Sequence, residues 1–301
     1  MPADLQVMRE IADGACVDPS ARIGAFCTIG PNVHIGAGTI LRSHVTVLGH
    51  TTIGRDNVVE QGSVLGASPQ DLKYAGRPTY LVVGDRNYFG PRVTAHVGTE
   101  SGGYVTRIGH ENVIEAGAHV AHDCFVDDRA RLGPQVMLAG HIRVESGAVI
   151  DEMVGVHHFS TIGQYSRTGP RTPVRRDVPP FTRFTSHEYY TTAPAVEGVH
   201  AAGLAAAGLS TAEAAEVRDA IRRLFEEDQA LAVKVAAMLG SAGLSPAVRL
   251  LCEFCRHSLS GRFGRYRELF RRKIPPEAVP HLPPALWAEV ADRVFTPPTG
   301  A

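Results

Sequence analysis

Lysine is nearly missing from this sequence: of 30 basic residues only Lys73, Lys234 and Lys273 are lysine, a compositional bias without functional content. An excess of either charge is missing too. The 30 basic residues face 31 acidic ones, for a net charge of -1, and a chain without a global positive field is not built mainly to grip nucleic acid. No stretch approaches 18 consecutive apolar residues, so no membrane-spanning helix is expected. The opening MPADLQVMREIADGA lacks an apolar run of signal-peptide length, which sets the expectation of a reduced, cytoplasmic protein. The five cysteines are an odd number spread over 301 residues, so no disulfide framework is indicated. With one tryptophan and 7% aromatics, any core must be built from small aliphatic side chains. Such side chains are plentiful, and so are the turn formers, with 31 glycines and 20 prolines.

The aliphatics recur with a period of six. The series runs from Val17 through Ile23, Ile29, Ile35, Leu41, Val47, Ile53 and Val59 to Leu65. It breaks at GASPQDLKYAGRPTYLV and resumes at Val83, Phe89 and Ala95. After a second break at SGGYVTR it continues from Ile108 to Val174. Of these 24 hexads, 21 are led by Val, Ile or Leu. Neither a helix, with period 3.6, nor an amphipathic strand, with period 2, produces a strict six over such a length. A β-solenoid does: each hexad is a short strand plus a corner, with the leading aliphatic pointing inward.

The period dies after Pro179-Pro180. Residues 181–209 read as a connecting segment, extended and then Ala-rich. Beyond it, STAE at 210–213 is a capping box, and apolar spacing predicts helices over 212–225, near 229–239 and 246–259, and at 284–294. The division is therefore a β domain over 1–180, a connection over 181–209 and an all-α domain over 210–301. Cys252-x-x-Cys255 has no second CxxC or suitable histidine pair beside it and reads as two core cysteines. Seven basic residues crowd the stretch from Arg256 to Lys273.

The chain has 14 histidines. These hexads resemble those of the left-handed parallel β-helix, and its three hexads per coil imply that His96, His122, His141 and the pair His157-His158 fall on one face, one coil apart, with His119 at the adjoining corner. A single column of imidazoles on a flat face does not close a tetrahedron, so no metal is expected. The column suits one general base with donors along an extended substrate, because imidazole accepts a proton near neutral pH. His122 is followed by Asp123, which can orient the ring. Gly140 stands one coil above His122, where a free amide N–H can meet an oxyanion.

The hexad [aliphatic]-G-x-x-[small]-x resembles that of the left-handed parallel β-helix, in which three hexads make one triangular coil. With 18 residues per coil, both breaks follow whole coils, so both loops should leave at the same corner. The segments PQDLKYAG (69–76), VGDRN (83–87), AHVAHDC (118–124), LAGH (138–141), VHHF (156–159) and DVPPF (177–181) are similar to one family in particular. This is the acyl-carrier-protein–UDP-N-acetylglucosamine O-acyltransferases of lipid A synthesis, and the resemblance spans residues 1–265. It implies a homotrimer with active sites between neighbouring prisms, acyl carrier protein as donor, a nucleotide sugar as acceptor and no cofactor. By it, His122 is the base on the sugar 3-hydroxyl, Asp123 orients it and the Gly140 amide stabilises the oxyanion. Asp71, Lys73, His96, His119, His141, His158 and His187 line the substrate site, Pro170 sets acyl-chain length, and the basic tail docks the carrier protein.

This chain also departs from the family. Ala206-Ala207 replaces a basic pair, His187 an asparagine and Val97 an arginine. These departures concern acceptor recognition, and they keep open a different acceptor, such as a 3-amino analogue of the sugar. A non-catalytic solenoid and a zinc hydratase with histidines across an interface are competing readings. The intact His122-Asp123 and Gly140-His141 argue against the first, and a metal assay tests the second.

Overall fold

The computed structural model describes residues 8–186 and 193–271. His187, Arg272, Lys273 and the helix expected at 284–294 lie outside the described residues. From Glu10 to Thr168 the chain winds as a left-handed parallel β-helix whose strands of two to four residues stack into three sheets. In one coil, His119–Val120 lies on the first face, Phe125–Val126 on the second and Arg131–Leu132 on the third. Met137–Leu138 then returns to the first face, with Met137 against His119 and Leu138 against Val120.

The hexad supplies the physical reason for this winding. Of the 24 leading residues, 23 are buried, and only Val17 on the first coils is half-exposed. At about 1.5–3 kcal/mol for each large aliphatic removed from water, the column of inward residues drives the winding. The fourth residue after each leader fills the corner. Where that residue is Asn57, Asn87 or Asn112, the buried amides form a ladder, Asn87 Nδ2 donating to Asn57 Oδ1 at 2.9 Å and Asn112 Nδ2 to Asn87 Oδ1 at 3.0 Å. Both interruptions leave the prism between the first and second faces, one coil apart, as the 18-residue coil requires. One joins Val64–Ala67 to Tyr80–Val83, and the other joins Thr94–His96 to Val105–Ile108.

The connecting segment has more structure than its sequence suggested. Thr182–Thr185 continues the third sheet in parallel, and Ala195–Val199 then pairs with it antiparallel. This pair covers the end of the solenoid and removes an open parallel edge. Helices α1 (Ala201–Ala206), α2 (Thr211–Phe225), α3 (Leu231–Leu239) and α4 (Pro246–Ser260) follow. The Ser210–Glu213 capping box is formed at the start of α2. Cys252 and Cys255 are free and buried in the helical core, where burial pushes the Cys255 thiol up to about 12. That fits packing residues rather than ligands.

The basic tail is not a uniformly solvated face. Arg256, Arg262 and Arg271 are exposed, but Arg265 and Arg267 are only 6% and 7% exposed. Carrier docking by the whole cluster is therefore corrected: a guanidinium packed inside the chain cannot also meet a partner's carboxylates.

Candidate active site

Asp123 and His141 sit at the corner between the first and second faces, with φ of +60° and +65°. Aspartate and histidine are among the residues that tolerate this left-handed region. The corner aims the residue before the turn outward, which brings His122 to the head of a groove on the first face. Its Nδ1–H donates to Asp123 Oδ2 at 2.7 Å. Asp123 is completely buried. It takes two further bonds from Thr99, whose N–H donates to Oδ1 at 2.8 Å and whose hydroxyl donates to Oδ2 at 2.6 Å. The Asp123 N–H donates to Thr106 Oγ1 at 2.8 Å. A carboxylate fixed by three donors fixes the ring in turn, so the proton sits on Nδ1 and Nε2 is left as the accepting nitrogen.

Thr99, Thr106 and Gly102 carry no signal in the repeat, where the second break reads only as a loop. That loop is the wall of the Asp123 cage. A Cβ on Gly102 would overlap the Asp123 carboxylate, so glycine is the residue that fits. Glu100 also ties the two loops together by accepting the N–H of Ala75 at 3.2 Å and of Arg77 at 2.9 Å. The signal available in the sequence was position: both threonines flank an interruption that faces the His-Asp corner.

Gly140 registers one coil after His122 and packs so closely that a Cβ there would lie 2.7 Å from His122 Nε2. Among the described residues no backbone carbonyl accepts the Gly140 N–H. The groove has a volume of about 520 Å³ and is lined by Gln70, His119, His122, Met137, Gly155 and Arg175 among others. It descends three coils, from His119–His122 to Pro173–Arg175.

The imidazoles form contacting pairs rather than one straight column. His96 and His119 meet edge to face at 4.8 Å, and His122 and His141 do so at 5.2 Å. His119 belongs to the first-face strand and not to an adjoining corner, because its coil pairs it with Thr94. His158 is in register with His122 and Gly140, and its ring lies 3.9 Å from that of His157. Asp71 and Lys73 are on the first loop, where Asp71 Oδ1 accepts the Lys73 N–H at 2.9 Å and the Lys73 side chain is exposed. Gln70, not singled out in the sequence, is the member of this loop that lines the groove. Pro170 is not brought to the groove within one chain; it lines a separate cavity of about 720 Å³ with Arg167, Arg183 and His200.

Single ligand atoms of His122, Asp123 and His141 lie within 4.8 Å of one another. Both Asp123 oxygens are already committed to Thr99 and His122, so an ion there would have to displace the bond that orients His122. The donor set fits a hydrogen-bonded dyad better than a metal centre.

Burial holds the pKa of His119, His141 and His158 down to about 4, reinforced for His119 by His96 and for His158 by His157. Each is a group whose folded pKa is depressed. Its stabilising contribution is present above the unfolded pKa of 6.5 and is lost as pH falls through about 4. Asp177, raised to about 7 by burial, acts in the opposite sense over this range. The denaturation midpoint is expected to fall between about pH 6.5 and 4, and to fall less in His119→Gln. Equal slopes for the two proteins would contradict the assignment of His119 as a neutral, half-buried ring.

The chain is similar to known proteins in sequence and in fold. Residues 177–263 match the family model of UDP-N-acetylglucosamine O-acyltransferase, domain 2. The structure of a UDP-N-acetylglucosamine O-acyltransferase from Moraxella catarrhalis is 32% identical, with a TM-score of 0.73 over 81% of this chain and 93% of that one. LpxA from Acinetobacter baumannii is 30% identical, with a TM-score of 0.75 over 81% and 93% of the two chains. A UDP-N-acetylglucosamine acyltransferase from Francisella novicida is 28% identical, with a TM-score of 0.78 over 82% and 89%. At such identity over nearly the whole length of these relatives, the chain is an acyltransferase and belongs to the UDP-N-acetylglucosamine O-acyltransferase family.

Proposed function

We propose that the chain transfers a 3-hydroxyacyl group from acyl carrier protein to the 3-hydroxyl of UDP-N-acetylglucosamine, the first step of lipid A synthesis. The observation that carries this reading is the Thr99–Asp123–His122 relay beside an unclaimed Gly140 amide at the head of a largely apolar groove. His122 Nε2 takes the proton of the sugar hydroxyl as its oxygen bonds to the thioester carbonyl carbon. The carbonyl oxygen becomes an oxyanion and meets the Gly140 N–H, a preorganised donor in a site from which water is partly excluded. The tetrahedral species then collapses, the C–S bond breaks, and the proton passes from the imidazolium to the leaving thiolate. Asp123 stays ionised throughout and stabilises the imidazolium.

His96 Nδ1 and His141 Nδ1 are buried and without a hydrogen-bond partner among the described residues. The chain is read as a homotrimer, with Lys73 of one subunit meeting the His122 groove of another and Pro170 contributing across the same boundary. Sedimentation as a trimer at micromolar concentration is expected, and a monomer would remove the shared site. Among the described residues no helix is long and apolar enough to cross a membrane.

The acyl chain would run down the groove past Met137 and Gly155 to Arg175, three coil steps or about 14 Å. A guanidinium at the far end disfavours further methylenes, each of which forgoes about 0.8 kcal/mol of burial. Chains on the order of ten carbons should therefore be preferred. The departures in acceptor recognition favour a second reading with the same chemistry. Val97 is buried in the solenoid core, and Ala206 and Ala207 sit at the end of α1, so none of the three offers a cation to a diphosphate. A mass-spectrometric screen of UDP-sugars, including the 3-amino analogue, against acyl–carrier-protein and acyl-CoA donors decides among these. The expected outcome is measurable but poor acylation of UDP-N-acetylglucosamine, a better related acceptor, and ten carbons over fourteen. A micromolar KM for UDP-N-acetylglucosamine with no preferred analogue would reject the second reading; no transfer from any donor would reject the first.

A further inference from the structure

The family match ends at residue 263, yet the chain continues into a 3₁₀ segment, Tyr266–Phe270, that turns back onto the active-site corner. The segment is tied down at its start. The Tyr266 N–H donates to Asp177 Oδ2 at 2.9 Å, and Arg265 Nη1 donates to the Arg175 carbonyl at 2.7 Å. Two side chains then reach the catalytic corner. Arg267 Nε donates to the carbonyl of His141 at 3.3 Å, with its guanidinium 5.3 Å from the centre of the Phe125 ring. The Arg271 guanidinium lies 4.6 Å from the centre of Phe159, whose ring stacks on His141 at 4.4 Å with 4° between the planes. His141 in turn meets His122 edge to face.

Arg267 is the unusual member. It is 7% exposed, and among the described residues no carboxylate pairs with it, because Glu268 spends its two oxygens on Arg265 and Arg271. A buried cation with no carboxylate in contact costs stability, with Asp177 and Asp123 attracting it only from a distance, so packing alone does not account for an arginine here. Its one hydrogen bond goes to the backbone of a residue held at φ +65° beside the base. We infer that Arg267, supported by Arg271 over Phe159, is a positioning residue for the acyltransferase site, one that fixes the His141 turn and thereby the ring against which His122 rests. This inference rests on the proposed acyl transfer only for its kinetic consequence. The geometric claim stands on the tail contacts themselves.

Arg267→Met keeps the apolar stem and removes the donor and the charge. Turnover should fall about ten- to hundred-fold, the scale of a small misplacement of a reacting group. The KM for the sugar nucleotide should stay within about twofold and the melting temperature near that of the wild type. Arg267→Lys should recover part of the loss, because an ammonium restores a donor but not the planar contact with Phe125. The second readout needs no substrate: histidine-ring NMR of the full chain. The groups facing the His141 ring are Asp123, His122, Arg267 and Asp71. Removing Arg267 removes a repelling cation, so the His141 titration midpoint should rise from about 4, while the ring signal of His200, which bonds the Tyr165 carbonyl, keeps its chemical shift at neutral pH. Turnover within twofold of wild type, an unmoved His141 signal, or a loss that tracks a lowered melting temperature and shifts His200 equally would overturn the inference. A displaced His141 signal in a chain that acylates nothing would instead uphold the positioning role and sink the functional reading.

Discussion

His122→Ala is expected to lose about 10²–10⁴-fold in turnover, the usual cost of deleting a general base, with an unchanged melting temperature and assembly state. The two halves of this expectation have separate causes. His122 Nε2 is the nitrogen left free by the Asp123 bond, so no neighbour replaces it: His141 has its pKa held near 4 by burial and is a poor base at neutral pH. The ring itself lies outside the solenoid core, lining the groove, and contributes little to the aliphatic column that holds the coil together. A rate assay with the best donor and acceptor of the screen, paired with thermal unfolding, checks both. Wild-type turnover in the variant would sink the assignment, and a large fall in melting temperature would make the rate uninterpretable as chemistry. Asp123→Asn should sit between the two proteins, since it keeps a hydrogen-bond acceptor but not the charge that stabilises imidazolium.

Gly140→Ala is expected to be nearly as damaging, through a single methyl group. A Cβ at this position would stand 2.7 Å from His122 Nε2 and 2.9 Å from Nδ1, tighter than real contacts allow. Either the imidazole rotates away, breaking its bond to Asp123, or the corner shifts and moves the Gly140 amide from the place where the proposed mechanism puts the oxyanion. Loss of one oxyanion donor alone typically costs about 10²–10³-fold, and displacement of the base adds to it. A variant with KM near wild type and turnover reduced at least a hundredfold is the expected result. Undiminished turnover would mean that neither the amide nor the His122 rotamer matters. Gly155→Ala is the control: nothing lies within 4 Å of a Cβ there, so it should narrow the groove without touching the chemistry.

Much of this architecture was legible in the primary structure because a solenoid is nearly one-dimensional. Away from the two interruptions each strand pairs with the strands 18 residues away, so its register follows from counting, and the pairing of His119 with Met137 or Val149 with Arg167 is an arithmetic consequence. The same arithmetic put His122, Gly140 and His158 in line and placed both loops at one corner. The α2 capping box was legible for a different reason: its two partners are three residues apart, and local bonds need no fold to bring them together.

What the sequence left undetermined is whatever depends on where the interruptions and the tail land. Thr99 and Asp123 are 24 residues apart, and Arg267 and His141 are 126 apart. No periodicity links either pair, and the loops that deliver them have no repeat to count. The sequence by itself determined the solenoid and, with the three hexads per coil that its resemblance to the left-handed β-helix implies, the coil register and the His122–Asp123–Gly140 corner, because a strict period translates directly into position. Only the tertiary structure decided that the second loop cages Asp123, that Gln70 and not the Lys73 side chain reaches the groove within one chain, and that two of the tail's arginines are buried rather than presented to a partner. Those contacts are made by segments that leave the repeat, and their placement is set by packing against surfaces that exist only once the coils have stacked.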